Sequence, residues 1–198
     1  MTSPENKQVD LNLLFLEARS QNGFLDKAVS DDLLRQAYEI ARMAPTSANN
    51  QAGRILFVKS AAAKEKLLPA MSPGNLEKTK AAPVTAIIAH DVEFYEKLTK
   101  LFPSFDMRSV FAGMPKEKQD RTAFQTSSLQ GAYFMIAARA LGLDCGPMGG
   151  FDNAKVDAAF FPDGKWKSNF LVNLGYGDPT KIFPRNPRLD FEEACKIE

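Results

Sequence analysis

The stretch Ala44 to Val58, APTSANNQAGRILFV, sets a helix stop, an amide-rich turn and a β-strand end to end. Ahead of it, Ser30 to Met43 carries Leu33, Leu34, Ala37, Ile40 and Ala41 on one helical face, and Pro45 disfavours continuation of that helix. Thr46, Ser47, Asn49, Asn50 and Gln51 then supply hydroxyls and amides just before the apolar run Ile55-Leu56-Phe57-Val58. A polar loop that caps a helix satisfies the same composition. A junction that presents its amides to a ligand is the alternative, and the rest of the chain weighs between the two.

Working outward, helices and strands alternate. Leu11, Leu14, Phe15 and Ala18 predict a first helix that runs into Arg19-Ser20-Gln21-Asn22-Gly23-Phe24, a polar, cationic turn stopped by Gly23. After the strand Arg54 to Lys59, Ser60 is placed to cap a short helix through Leu68, and Ala82 to Ala89 reads as a buried strand. Asp91 to Leu101 is expected to be helical with Asp91 as its cap, and Phe102 to Lys118 to be a mobile, partly apolar loop or lid. Thr122 to Leu143 is the longest helical candidate, apolar over much of its circumference, which suits a core or a subunit interface. Gly142 ends it. Asp144 to Asp152 (DCGPMGGFD) reads as a glycine-rich connection, either a long turn or a place where backbone approaches something flat or anionic. A short helix near Lys155 to Phe160, a strand from Asn169 to Tyr176, and a tail with Lys181, Arg185 and Arg188 complete the chain.

At 198 residues the default is one domain, spanning 1–198, with enough chain to bury a core without disulfides. Net charge is +1, from 25 Lys and Arg against 24 Asp and Glu, so no global field points to nucleic acid or an anionic membrane. Small molecules and a second copy are the expected partners. Cys145 and Cys195 stand in unrelated contexts, which argues against a disulfide scaffold or a zinc site and for a cytoplasmic location. The polar start MTSPENKQVD lacks the features of an export signal. The single histidine, His90, reads as a strand-end residue and leaves no material for a histidine-clustered metal site. Gly-x-Ser-x-Gly, Walker A and Gly-x-Gly-x-x-Gly are all absent. Hard chemistry in such a chain comes from a cofactor.

Arg19 and Ser20, the Thr46 to Gln51 turn, the Gly146 to Phe151 loop, and Arg185 with Arg188 together are what a phosphorylated flat heterocycle needs: guanidinium forks for phosphate, amides for the ring edge, bare backbone for the ring face. With these residues the chain resembles the nitroreductase family of FMN flavoproteins. APTSANNQ is similar to its Ala-Pro-Ser-x-x-Asn-x-Gln box, Gly142 to Phe151 to its Gly-Leu-x-x-x-Pro-x-x-Gly-Phe box, and ARSQNGF to its Arg-Arg-Ser-x-Arg-x-Phe signature. Further segments, among them SPGNLEKTKAAPVTA (Ser72 to Ala86) and NLGYGDPTK, resemble the branch of malonic semialdehyde reductases and 3-hydroxypropionate dehydrogenase-like proteins.

The resemblance implies an α+β fold, a mixed sheet flanked by helices, in an intertwined homodimer with FMN at the subunit interface. It puts Arg19, Ser20 and Arg188 at the flavin phosphate, with Arg185 or Lys181 as further candidates. Asn22 falls at the pyrimidine edge and Asn49 against the ring, with Gln51 in the same box. Pro45, Thr46 and Ser47 would reach the site from the partner subunit. Pro147 and Met148 would lie against the ring, and Gly149-Gly150 would bring an N–H to its N5. The implied activity is ping-pong hydride transfer from NADH or NADPH, through flavin N5, to malonic semialdehyde or a similar small aldehyde. A nitroaromatic or quinone is the alternative acceptor, and a non-catalytic flavin-binding dimer the third reading. Arg54 or Arg108 is the cation expected to orient the carboxylate of malonic semialdehyde. Two departures stand out: Ala18 holds the first arginine position of the signature, and neutral Asn22 stands where a basic residue is common.

Overall fold

The computed structural model describes residues 9–198; the polar residues before Val9, read above as carrying no export signal, lie outside them. The helix before the amide turn is α1, Asp31–Ala41. Ser30 caps it by accepting the Leu33 N–H at 3.2 Å, and Asp31 and Asp32 place negative charge at the positive end of the helix dipole. Leu34, Ala37 and Ala41 are buried, whereas Ile40, expected on the same face, is exposed.

Four strands follow the expected α+β class: β1 (Gly53–Val58), β2 (Val84–Asp91), β3 (Asp144–Met148) and β4 (Trp166–Gly175), in the order β1-β2-β4-β3. All three ladders are antiparallel, so among the described residues the parallel component of the expected mixed sheet is not found. β2 is buried at every position because both faces are covered. Ala86 and Ile88 join one core with Leu34 and Ala37 of α1 and Phe134, Ala137 and Ala138 of the long helix α6 (Lys116–Ala140). Ile87 and Ala89 join the opposite core with Leu67, Val156 and Leu171. Each fully buried Ile or Leu here contributes roughly 1.5–3 kcal/mol.

The remaining helices are α2 (Ala61–Leu67), capped by Ser60, α3 (Pro73–Ala81), α4 (Leu98–Leu101), α5 (Met107–Ala112), α7 (Asn153–Phe160) and α8 (Phe191–Ala194). Four expectations need correction. The first helix is only a π-helical turn, Asn12–Leu16, closed by the Glu17 N–H on the Asn12 carbonyl at 2.9 Å. Asp91 does not cap a helix but ends β2. The expected lid contains α5, capped by Asp106 through the Ser109 N–H at 3.1 Å, and Phe111 is buried edge-on against Phe94 at 5.3 Å. The glycine-rich connection begins as strand β3, with Pro147 opposite Val172. α6 ends where expected, at Gly142, whose φ of +80° favours glycine.

Candidate functional site

Segments far apart in sequence converge beside β3. The chain from Ser20 to Phe24 runs along the outer edge of that strand, the Gln21 N–H donating to the Cys145 carbonyl at 3.0 Å. Two more backbone bonds fix it, Leu25 N–H to Tyr176 at 2.8 Å and Asp178 N–H to Gly23 at 3.0 Å. Gly146 makes the approach possible, since a Cβ there would sit 2.5 Å from the Gln21 carbonyl oxygen. Arg19, Ser20 and Asn22 then line a cleft of about 550 Å³ together with Arg139 from the end of α6 and Phe183, Arg185 and Arg188 from the tail.

Among the described residues, none of these four arginines has a carboxylate within ion-pair distance. Backbone carbonyls hold them instead. The Asn12–Leu16 turn leaves its last carbonyls open, the negative end of a short helix. Arg19 donates to Glu17 and Ala18 at 3.0 and 3.1 Å, Arg185 to Leu16 and Ala18 at 2.8 Å each, and Arg139 to Leu14 at 2.9 Å. Arg188 donates to Asn186 at 2.8 Å. Each guanidinium uses one terminal nitrogen this way, so other N–H groups of its fork remain for a ligand. Partial desolvation and the nearby Arg19, Arg188 and Arg139 lower the pKa of Arg185, which stays cationic. Four like charges held together without a counter-charge repel one another, and an anion in the cleft relieves that.

The amide turn is a separate structure. Ala48, Asn49 and Gln51 all have φ between +41° and +48°, a left-handed conformation that costs non-glycine residues free energy and that surrounding contacts must impose. Those contacts are present. Asn49 Nδ2 donates to the Leu101 carbonyl and Gln51 Nε2 to Asn49 Oδ1, both at 2.8 Å. The Gln51 N–H reaches Thr46 Oγ1 at 3.3 Å, and Tyr133 on α6 holds the Pro45 carbonyl at 3.2 Å. Buried Asn50 pegs the turn to α6 through Thr126 Oγ1 at 3.2 Å and accepts the Ala52 N–H at 3.1 Å. Pro45, Thr46, Ser47, Asn49 and Gln51 do not line the arginine cleft of their own chain.

The glycine pair follows directly on β3, Gly149 coming immediately after the strand's last residue, Met148. Gly149 is exposed, with nothing within 4 Å of where a Cβ would point. The Gly150 carbonyl accepts from Ser72 N–H at 3.1 Å and Asn75 Nδ2 at 2.8 Å, so the SPGN segment at the start of α3 abuts the pair. Met148 is buried and Pro147 partly so. Lys181 ends a short 3-10 turn capped by Asp178, its stem packs against Gly23, and it does not line the cleft.

Arg54 and Arg108 each face an acid of their own chain. Arg54 pairs with Asp91 at 2.6 Å, both largely buried, and also donates to the Gln51 carbonyl at 2.7 Å, bracing the amide turn. Arg108 forms a two-pronged pair with Glu96 at 2.9 Å on each prong. His90 is buried beside Phe124, with Nδ1 unpartnered, and burial lowers its pKa despite the nearby Asp120, Asp157 and Asp91. Cys145 is buried too, its thiol pushed up to about 12 by desolvation, so it packs and does not react. Sequence reading did not single out Arg139 or the pegging role of Asn50. A lone cation ending an apolar helix complements the helix dipole, and that reading hides any second role.

The nitroreductase family model matches residues 16–176, a span that takes in the cleft's first wall, the amide turn and the glycine pair. The chain belongs to the nitroreductase family. Its curated nitroreductase relatives include a Ralstonia nicotianae protein, 59% identical over 187 residues that cover 94% of this chain and 95% of the relative. Another, from Polynucleobacter asymbioticus, is 56% identical over 197 residues and the full length of both chains. Both carry the provisional name NADH dehydrogenase/NAD(P)H nitroreductase. Among solved structures, a nitroreductase-named protein from Exiguobacterium sibiricum in complex with FMN superposes with a TM-score of 0.85 at 18% identity, covering 96% of this chain and 98% of that one. A gut-bacterial enone reductase has a TM-score of 0.84 at 19% identity, with 96% and 98% covered. These two likenesses establish the nitroreductase fold. No helix among the described residues is long and apolar enough to cross a membrane.

Proposed function

We propose that this nitroreductase-family chain is an FMN-dependent NAD(P)H oxidoreductase, with NADH or NADPH as electron donor. The observation that carries the reading is the cleft of four guanidiniums with no carboxylate among the described residues in ion-pair reach, next to a strand followed by a glycine pair whose first member, Gly149, is exposed. That donor set fits a phosphate dianion at one end and a flat ring at the other. FMN, when bound, supplies the hydride chemistry for which the protein's own side chains offer no candidate.

The chain's residues do the binding and the positioning. Arg19, Arg185 and Arg188 hold the phosphate with guanidinium N–H donors, and Ser20 adds a hydroxyl. Asn22 offers a neutral amide near the ring's polar edge. Gly149, Gly150 and the adjoining Pro147 and Met148 give the ring a backbone surface to lie on. The strained Pro45 to Gln51 turn, absent from its own chain's cleft, completes the site from a second copy in a homodimer. Support for that dimer comes from the unpaired outer edge of β1 and from exposed apolar side chains at both ends of the chain, including Leu11, Phe15, Phe183, Leu189 and Phe191.

The acceptor favoured is an uncharged planar one, a nitroaromatic or a quinone. The names of the relatives agree with it, and the two cations expected to seize a substrate carboxylate are each engaged by an acid. Malonic semialdehyde is the second reading, because the Ser72 to Ala86 segment that resembles that branch touches the glycine pair directly. An anaerobic visible spectrum of the FMN-supplemented protein tests both. Bleaching of the flavin band by NADH or NADPH is expected, with faster recovery on a nitroaromatic or quinone than on malonic semialdehyde. The reverse order installs the aldehyde, and no protein-bound flavin spectrum overturns the proposal.

A further inference from the structure

Arg139 is the one cleft arginine that comes from the sheet-packed body of the chain; Arg19, Arg185 and Arg188 belong to its two terminal segments. It sits in the last turn of α6, partly buried, with one terminal nitrogen on the Leu14 carbonyl at 2.9 Å. Helix-dipole complementation explains a cation at that position. It does not explain why the side chain lines the same cleft as Arg19, Arg185 and Arg188 with no carboxylate among the described residues in ion-pair reach. Three guanidiniums already exceed the charge of a phosphate dianion. A fourth at the cleft wall adds repulsion that a bound anion relieves.

We infer that Arg139 is a direct phosphate-binding residue, the rigid fourth donor that makes the cleft select a phosphorylated flavin over its unphosphorylated analogue. This rests on the proposed FMN reading of the cleft. The other three guanidiniums come from the two terminal segments, while α6 is anchored by Phe134, Ala137 and Ala138 in the core it shares with α1 and β2. Arg139 therefore presents its fork from a packed helix, and the donors of the two terminal segments complete the cradle around the same anion. The proximity of Arg139 to Arg185 is also what helps to lower the pKa of Arg185.

The test is a flavin-fluorescence titration of the flavin-free 198-residue chain with FMN and, separately, riboflavin. Wild type is expected to prefer FMN strongly, and the preference is expected to shrink with added salt. Arg139→Gln keeps a donor for the Leu14 carbonyl and removes the charge. It is expected to weaken FMN binding about tenfold or more, the worth of one charged hydrogen bond, and to leave riboflavin within about twofold. Arg139→Lys is expected to restore most of the FMN affinity. Equal weakening of both flavins by Arg139→Gln makes Arg139 a structural brace and overturns the inference, as does an unchanged FMN affinity. A wild type that binds FMN and riboflavin alike overturns the phosphate reading of the cleft itself, and the role of Arg139 with it.

Discussion

Arg54 and Arg108 each have their own acid: Asp91 at 2.6 Å and Glu96 at 2.9 Å. Arg19, Arg139, Arg185 and Arg188 line one cleft, with carbonyls for partners and no acid in ion-pair reach among the described residues. The residue type is the same, and the chemistry is opposite. Where the protein supplies the counter-charge, the cation is structural. Where it supplies only neutral acceptors that fix the fork in place, the counter-charge has to come from outside. His90 shows a third outcome, a buried ring whose Nδ1 has no partner among the described residues and whose burial disfavours the charged form.

The sharpest way to break this contrast is Arg185→Ala, which removes a guanidinium held by three carbonyls. FMN affinity is expected to fall about a hundredfold with riboflavin unaffected, read by the same fluorescence titration. Arg54→Met leaves Asp91 buried and unpaired. Denaturant unfolding is expected to show a loss of about 3 kcal/mol, and the amide turn that Arg54 braces loosens with it. Gly146→Ala tests the cleft's other wall. Its Cβ collides with the Gln21 backbone, so a loss of about 2 kcal/mol with weaker FMN binding is expected, whereas Gly142→Ala, clear of contacts but at positive φ, is expected to cost stability alone.

The His90 contribution has a definite sign. Its native pKa lies below the unfolded value of about 6.5, so the unfolded chain binds the proton first. Stability is full above that value and declines as pH falls through it toward the native pKa; His90→Gln is expected to flatten this part of a thermal-melt pH series. Arg108→Ala closes the sequence with the smallest effect. Its pair with Glu96 is exposed, so little change in melting and none in acceptor turnover is expected; a specific loss of malonic semialdehyde kcat/KM would return Arg108 to substrate recognition.

Local signals were readable from the residues. Ser30 before an apolar stripe, the unbroken run into β2, and Gly142 after a long helix each carry their own physics, and each element is present, although α6 begins at Lys116, ahead of the expected Thr122, and β2 runs on to Asp91. β3 was not readable, because Cys145-Gly146-Pro147 has little strand preference. Pairing with β4 makes it a strand, and its place at the sheet edge tolerates a proline. The expected lid hid α5, a helix too short to show a period. Within the site, the terminal arginines were legible by resemblance. The partners of Arg54 and Arg108 were not, since Asp91 and Glu96 become neighbours only once β1 lies against β2 and α5 folds back.

The carbonyls of Leu16 and Ala18 receive Arg185, so a single hydrogen-bonded knot ties together residues almost the full length of the chain apart. Closing so large a ring has to await the sheet and α6 that lie between its ends. The knot is therefore a late event in assembly and the first to open under stress. An anion that bridges it acts as a latch on both termini at once. Its arrival would register as protection of the tail from proteases before any turnover is measured.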